Sequence, residues 1–171
     1  MRILTSLPTR GPWHVNFPDS GHGSHREGLA VEFDPTPSSK KWVGNFQRGM
    51  TQFDKVTGNF APNRQLVIAG GAVYVVDQVT RAQIDMIGGD DILWSSSSKG
   101  GSLVLLAGWT DIIAYSMAGI AWTSERISWD GLRNLEVVTG SVTGEAYSPI
   151  DDEWHRFELD TTTGRHTGGS W

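Results

Sequence analysis

The sequence contains no cysteine among its 171 residues, so disulfide bonds and thiol chemistry are excluded. No apolar run approaches the roughly 20 residues that a membrane-spanning helix needs. The stretch from Met1 to Pro8 also lacks the apolar segment of a secretory signal peptide. We therefore expect a cytoplasmic protein that has no membrane partner.

Positive charge is also scarce. The chain carries 14 lysines and arginines against 19 aspartates and glutamates, which gives a formal net charge of -5. No broad positive field exists to attract a phosphate backbone, so we expect no nucleic-acid partner. The length suits one domain with a real core, and the prediction is a single β domain over residues 1–171.

Glycine and tryptophan are abundant instead, with 21 and 8 residues. Glycine pairs separate short apolar runs, which is typical of many short strands joined by tight turns. Residues 1–40 form a less regular N-terminal segment whose one strand is 28–33. From Lys41 onward, turn residues recur every 8 to 12 positions. The predicted strands are 42–47, 66–70, 72–77, 82–87, 91–95, 103–107, 111–115, 119–124, 134–138, 143–147 and 154–159.

Three segments resemble one another: Leu66–Gly71, Leu103–Gly108 and Leu135–Gly140. Each is an apolar strand with a glycine five residues after its leucine, and the leucines lie 37 and then 32 residues apart. That spacing is close to the length of a small antiparallel β unit. We therefore expect successive hairpin modules within an all-β fold.

A second pattern places aspartate and threonine three residues apart, at Asp54–Gly58, Asp77–Arg81 and Asp160–Gly164. An aspartate there can accept backbone N–H groups in an Asx turn, and a following glycine tolerates the left-handed conformation. In a looser version, Ser116 replaces the aspartate. All four segments are predicted to be turns that join strands.

The segments Tyr74 to Thr80, Tyr115 to Trp122 and Phe157 to Gly164 resemble repeats of the quinoprotein-type β-propeller class. This resemblance implies a local strand-turn-strand topology. It implies no quinone, because no cofactor ligands map onto these residues, and we expect no cofactor. The architecture is left open between propeller-like and barrel-like or sandwich-like, with closure or a homodimer shielding the edge strands.

Three histidines, His14, His22 and His25, lie within twelve residues beside Asp19 and Glu27. Imidazoles and carboxylates are zinc ligands, so this segment is the candidate metal site of a metal-dependent hydrolase. Its spacing matches no established metal motif, which favours a solvated segment instead.

Acidic pairs are the second catalytic candidate, at Asp90-Asp91 and at Asp151-Asp152-Glu153. Two carboxylates that flank a sugar bond would hydrolyse it, and the adjacent Trp154 could stack on the ring. Adjacent carboxylates on a turn point apart, however, and are typical of a solvated hairpin tip.

Tryptophans beside polar or turn residues are the remaining candidates, and we select Trp109, Trp129 and Trp154 as partner-binding residues. Exposed tryptophan is enriched where partners dock. The leading hypothesis is a non-catalytic β module that binds another protein or its own copy. The alternatives are a metal- or carboxylate-dependent hydrolase using the His14/His22/His25 segment and a carbohydrate-binding module.

Overall fold

A computed structural model describes residues 1–11, 13–18, 26–35 and 40–171, without the side chains of residues 58–61. Every regular element in these ranges is a β-strand, and 16 strands form four sheets of four strands each. The prediction of an all-β fold built from short, mainly antiparallel strands is confirmed. No described segment forms an apolar helix of the length needed to cross a membrane.

The chain divides into two compact units, Met1–Asp91 and Ile92–Trp171. The first unit contains sheets A and B, and the second contains sheets C and D. The assignment of residues 1–171 to one domain stays a prediction.

Sheet A is the irregular sheet, because its strands do not follow chain order. Its strands are β1 (Arg2–Ile3), β2 (Val15–Phe17), β3 (Leu29–Phe33) and β4 (Trp42–Phe46). The order across the sheet is β1-β3-β4-β2, and β2 runs parallel to β4 while the other pairs are antiparallel. The described residues of the N-terminal 40 therefore form three strands where the sequence predicts one.

Sheets B, C and D are antiparallel meanders in which each strand pairs with its neighbour in the chain. Sheet B contains β5 (Lys55–Ala61), β6 (Arg64–Ala69), β7 (Ala72–Asp77) and β8 (Gln83–Ile87). Sheet C contains β9 (Trp94–Ser97), β10 (Val104–Ala107), β11 (Ile112–Ser116) and β12 (Gly119–Thr123). Sheet D contains β13 (Leu132–Val138), β14 (Ser141–Ser148), β15 (Glu153–Asp160) and β16 (His166–Gly168).

The three leucine-to-glycine segments each lead into a hairpin, but not at one equivalent place. The first two run along β6 and β10, which are the second strands of sheets B and C. The third runs along β13, the first strand of sheet D. The strand predicted at 91–95 corresponds to β9, which begins three residues later. Strands β1, β2, β5 and β16 have no predicted counterpart.

Each unit buries an apolar core between its two sheets. In the first unit, Phe17, Phe33 and Trp42 of sheet A belong to one buried cluster with Val67 and Tyr74 of sheet B. The second unit buries a similar apolar cluster between sheets C and D. Its cluster includes Leu105, Ala107, Ile112 and Ala114 from sheet C, and Val142, Ala146, Phe157 and Leu159 from sheet D.

Two of the predicted Asx turns join the third and fourth strands of their sheets. Asp77 accepts the N–H groups of Val79 and Thr80 between β7 and β8, with both distances 2.8 Å. Asp160 accepts those of Thr162 and Thr163 between β15 and β16, again at 2.8 Å. A local carboxylate can form these bonds without tertiary help, which is why the sequence predicts them.

Ser116 closes the equivalent turn of sheet C, since its hydroxyl accepts the Ala118 N–H at 3.1 Å. The prediction for Asp54 is wrong. Asp54 precedes β5, and its carboxylate instead accepts the Gly70 N–H and pairs with Arg48, each at 2.8 Å. These distant partners lie outside what a four-residue pattern can contain.

A tryptophan from one sheet reaches the last turn of the other sheet in each unit. In the first unit, the indole N–H of Trp42 donates to the carbonyl of Gln78 at 2.8 Å. In the second unit, the indole N–H of Trp122 donates to the carbonyl of Thr161 at 3.2 Å. Both acceptors directly follow the aspartate of an Asx turn, so the two units repeat the same link.

Candidate functional site: a tryptophan cluster around Gly131

The three tryptophans selected from the sequence lie close to Gly131 in the second unit. The Gly131 N–H donates to the carbonyl of Trp109 at 3.0 Å. Trp129 precedes Gly131 by two residues in the loop before β13. A Cβ placed on Gly131 would lie 3.5 Å from the ring of Trp154, which is on β15. Residues from three separate parts of the chain therefore meet at one glycine.

Gly131 has a φ of +123°, a conformation that side chains with a Cβ rarely adopt. Ser128, three residues before Gly131, is fully buried and fixes the same loop. Its hydroxyl donates to the carbonyl of Gly131 at 2.7 Å and accepts the Asp130 N–H at 3.2 Å. Backbone geometry thus sets the position of Trp129.

A fourth tryptophan, Trp171, completes the group. Its ring centroid lies 4.0 Å from that of Trp129, with the planes inclined by 60°. The neighbouring Ser170 hydroxyl accepts the Trp129 N–H at 3.2 Å and donates to the carbonyl of Tyr147 at 2.6 Å. We refer to Trp109, Trp129, Trp154 and Trp171 as the tryptophan cluster.

The cluster remains open to solvent. Trp109 is 44% exposed, Trp129 37% and Trp171 57%, while Trp154 is half-buried. In the described part of the chain, the indole N–H groups of these four residues have no hydrogen-bond acceptor, unlike those of Trp42 and Trp122. Each ring therefore keeps a polar edge available to a partner.

Two arginines stack on the cluster. The guanidinium carbon of Arg126 lies 4.0 Å from the ring centroid of Trp171 and 5.7 Å from that of Trp129. The guanidinium carbon of Arg133 lies 4.0 Å from the ring centroid of Trp154. Both distances of 4.0 Å are well within the range of a cation–π interaction.

Tyr147, whose ring centroid lies 5.2 Å from that of Trp154, contacts a carboxylate of the acidic turn. Its hydroxyl donates to Asp152 at 2.6 Å. This hydrogen bond, then burial, then the charges of Asp152, Asp130 and Asp151 raise the pKa of Tyr147. The Asp152 carboxylate therefore lies beside the ring pair of Tyr147 and Trp154.

The outer face of sheet D continues from this point. Strand pairing places Tyr147 opposite Trp154 and Glu145 opposite Arg156, and side chains two apart on a strand share a face. An open depression of about 630 Å³ on this face is lined by Glu136, Glu145 and Glu158 around Arg156. Hydrogen bonds from Arg133 and Asn134 lower the pKa of Glu145 despite the opposing effect of desolvation.

The acidic turn does not assemble a carboxylate pair. Asp151 contacts the imidazole of His155 at 2.9 Å, whereas Asp152 turns to Tyr147. A hydrogen bond from Ser148, ahead of the effects of His155, lowers the pKa of Asp151. Asp151 and Asp152 therefore contact different side chains, as expected for a solvated hairpin tip.

The predicted metal site falls mostly outside the described residues. His22, His25 and Asp19 are not described, and His14 is half-buried in the segment before β2. Among the residues that are described, no three histidines, aspartates or glutamates lie close enough together to hold a metal ion. The role of His14, His22 and His25 stays a prediction.

Sequence reasoning missed Tyr147, Arg126 and Arg133 as parts of this surface, and it did not select Trp171. Only the packing of the loop at 127–131 against β14 and the C-terminal segment brings them together. Neither a protein-family model nor a curated protein matches the chain.

Proposed function

We propose that this chain is a non-catalytic recognition module whose tryptophan cluster binds another protein or a second copy of the chain. The observation that carries the proposal is that Trp109, Trp129 and Trp154 approach Gly131 while Trp171 packs on Trp129, and that three of the four rings are more than one-third exposed. Exposed aromatic surface is costly in water and is enriched at the centres of protein interfaces.

The rigidity of the cluster also supports binding. Ser128, Ser170 and Gly131 hold the backbone around Trp129 through hydrogen bonds of 2.6 to 3.2 Å. A partner that docks on preorganised rings loses little conformational entropy in the process. The free indole N–H groups add directional contacts, because each can donate to a carbonyl of the partner.

For the architecture, we propose that the sheets are blades of the quinoprotein-type propeller class. Three of the four sheets are four-stranded meanders, and three carry an Asx-type or serine turn between the last two strands. The repeated link from Trp42 and Trp122 to such a turn supports a shared building plan. No cofactor role accompanies this proposal.

The test compares a Trp109→Ala/Trp129→Ala variant with the unchanged chain. Self-association is measured by sedimentation, and protein binding is measured by selection from a displayed peptide library. We expect the double variant to lose at least about tenfold in affinity for selected peptides, because hot-spot truncations cost about 2 kcal/mol or more. Circular dichroism checks that the fold is retained.

The matched control is Trp13→Ala, which removes a 92% exposed tryptophan from the first unit. It should leave association unchanged. Equal binding by the double variant and the unchanged chain would contradict the proposal.

A carbohydrate partner is the second candidate, because Trp154 shares the outer face of sheet D with alternating arginine and glutamate side chains. Aromatic rings stack on sugar rings, and such polar groups bind adjacent hydroxyls. A glycan array tests this candidate, and binding that depends on Trp154 would favour it over a protein partner.

A further inference from the structure

The net negative charge of the chain comes from one unit. Residues 92–171 contain five lysines and arginines and ten aspartates and glutamates, whereas residues 1–91 contain nine of each. The second unit therefore carries the whole formal charge of -5. It also contains the tryptophan cluster, so the unit that bears the exposed rings attracts cations.

Several of these carboxylates border the cluster directly. Asp130 follows Trp129 in the loop, and Asp151 and Asp152 form the tip of the β14–β15 hairpin beside Tyr147. All three are exposed. The combined effect of their charges on the Tyr147 hydroxyl, described above, indicates that they act on one small region.

The rings of the cluster already accept guanidinium groups from within the chain. Arg126 and Arg133 each place the guanidinium carbon 4.0 Å from the centroid of an indole ring. Arg126 is held there, because its Nε and Nη2 donate to the carbonyls of Ser128 and Trp129, each at 2.9 Å. The remaining exposed ring surface offers the same chemistry to a cation from outside.

We propose that the segment which docks on the tryptophan cluster is a cationic stretch of a partner protein, rich in arginine and lysine. This inference rests on the proposed function and names the chemistry of its partner. Exposed tryptophans supply ring faces for the cations, and Asp130, Asp151 and Asp152 supply the counter-charge. On the outer face of sheet D, Glu136, Glu145 and Glu158 still outnumber Arg156 and Arg133, the partner of Glu145, and they extend the same preference along that face.

The test measures fluorescence anisotropy with labelled hexa-arginine, hexa-lysine and hexa-glutamate peptides. We expect hexa-arginine to bind most tightly, since guanidinium stacks on indole better than ammonium does, and hexa-glutamate not to bind. The affinity for hexa-arginine should fall as the salt concentration is raised, because exposed charge pairs are screened.

An Asp130→Asn/Asp152→Asn variant removes two carboxylates of the cluster while keeping similar side-chain volumes. It should bind hexa-arginine roughly fivefold more weakly, because each exposed ion pair contributes about 0.5 kcal/mol. The matched control is Asp90→Asn/Asp91→Asn, which removes the same charge from an acidic pair of the first unit. Equal losses in the two variants would show a general attraction to acidic protein and would overturn the inference.

The outcomes distinguish a failure of the cationic partner from a failure of the proposed recognition function. If library peptides bind through Trp109 and Trp129 without an excess of arginine and lysine, the proposed function stands and the cationic partner is wrong. If hexa-arginine binds the Trp109→Ala/Trp129→Ala variant as well as the unchanged chain, the cluster is not its site. Tight binding of hexa-glutamate would also overturn the inference.

Discussion

Replacing Gly164 by alanine tests whether the link between Trp122 and the turn after β15 stabilises the second unit. Gly164 has a φ of +71°, and a Cβ there would lie 2.5 Å from the indole ring of Trp122. The left-handed backbone costs a residue with a Cβ about 1 to 2 kcal/mol. Displacing a packed ring costs a further 1 to 3 kcal/mol or so.

The chain offers a control with the same backbone angle. Gly101 also has a φ of +71°, but a Cβ there would have no neighbour within 4 Å. Alanine lowers the entropy of the unfolded chain at both positions, which offsets part of the backbone strain equally. The difference between the two variants therefore isolates the contact with Trp122, and we expect about 2 kcal/mol.

The assay is urea unfolding followed by far-ultraviolet circular dichroism, with the free energy of unfolding compared among the unchanged chain and both variants. Gly101→Ala should lie within about 1 kcal/mol of the unchanged chain, and Gly164→Ala should be clearly less stable. Variants that agree within about 0.5 kcal/mol would refute the reasoning, because the ring would then yield without cost.

Three further predictions use the same measurement. Trp42→Phe and Trp122→Phe should each lower the free energy of unfolding by about 1 kcal/mol or more, since both lose the indole N–H donor; no loss would contradict a shared role. Ser128→Ala should cost about 1 to 3 kcal/mol and weaken binding at Trp129, because the buried hydroxyl fixes that loop; Ser102→Ala, on an exposed turn, is its control. The pKa of Asp160 is lowered below its ordinary 3.8 by hydrogen bonds from the N–H of Thr163, the hydroxyl of Thr163 and the N–H of Thr162. The stability that these bonds contribute is therefore complete above pH 3.8 and is lost as the pH falls through the lower pKa of the folded state. Asp160→Asn keeps an acceptor but should remove this part of the acid sensitivity, and an unchanged acid profile would refute the assignment.

Local chemistry explains why some elements could be predicted from the sequence. The turns at Asp77 and Asp160 depend on bonds within three residues, so a short pattern contains all the necessary information. The apolar strands β6, β7 and β10 are likewise evident from their composition. Strand β5 is different, because it contains glycine and asparagine and is defined by pairing with β6. Its existence depends on a neighbour that propensity does not register.

The candidate site likewise has a part that the sequence predicts and a part that only the fold reveals. Residue type and flanking sequence predict Trp109, Trp129 and Trp154 as partner-binding residues, and that role stays a prediction. Their convergence depends on the unusual backbone at Gly131 and on contacts across more than 20 residues. The arginines that stack on the rings have no signature in the sequence, because any surface arginine looks alike before the chain folds.

Trp42 and Trp122 use the indole N–H for a hydrogen bond within the chain, whereas the tryptophans of the cluster do not do so within the described residues. Trp42 is buried and Trp122 is partly buried, and both direct that donor to a carbonyl of the chain itself. A buried tryptophan usually satisfies its donor in this way, because an unpaired polar group in the interior is costly. At Trp109, Trp129 and Trp171 water can satisfy the donor, so no internal acceptor is needed. Such a ring can exchange water for a partner at little cost, and this property, together with the grouping of the rings, supports the recognition role that we propose for the tryptophan cluster.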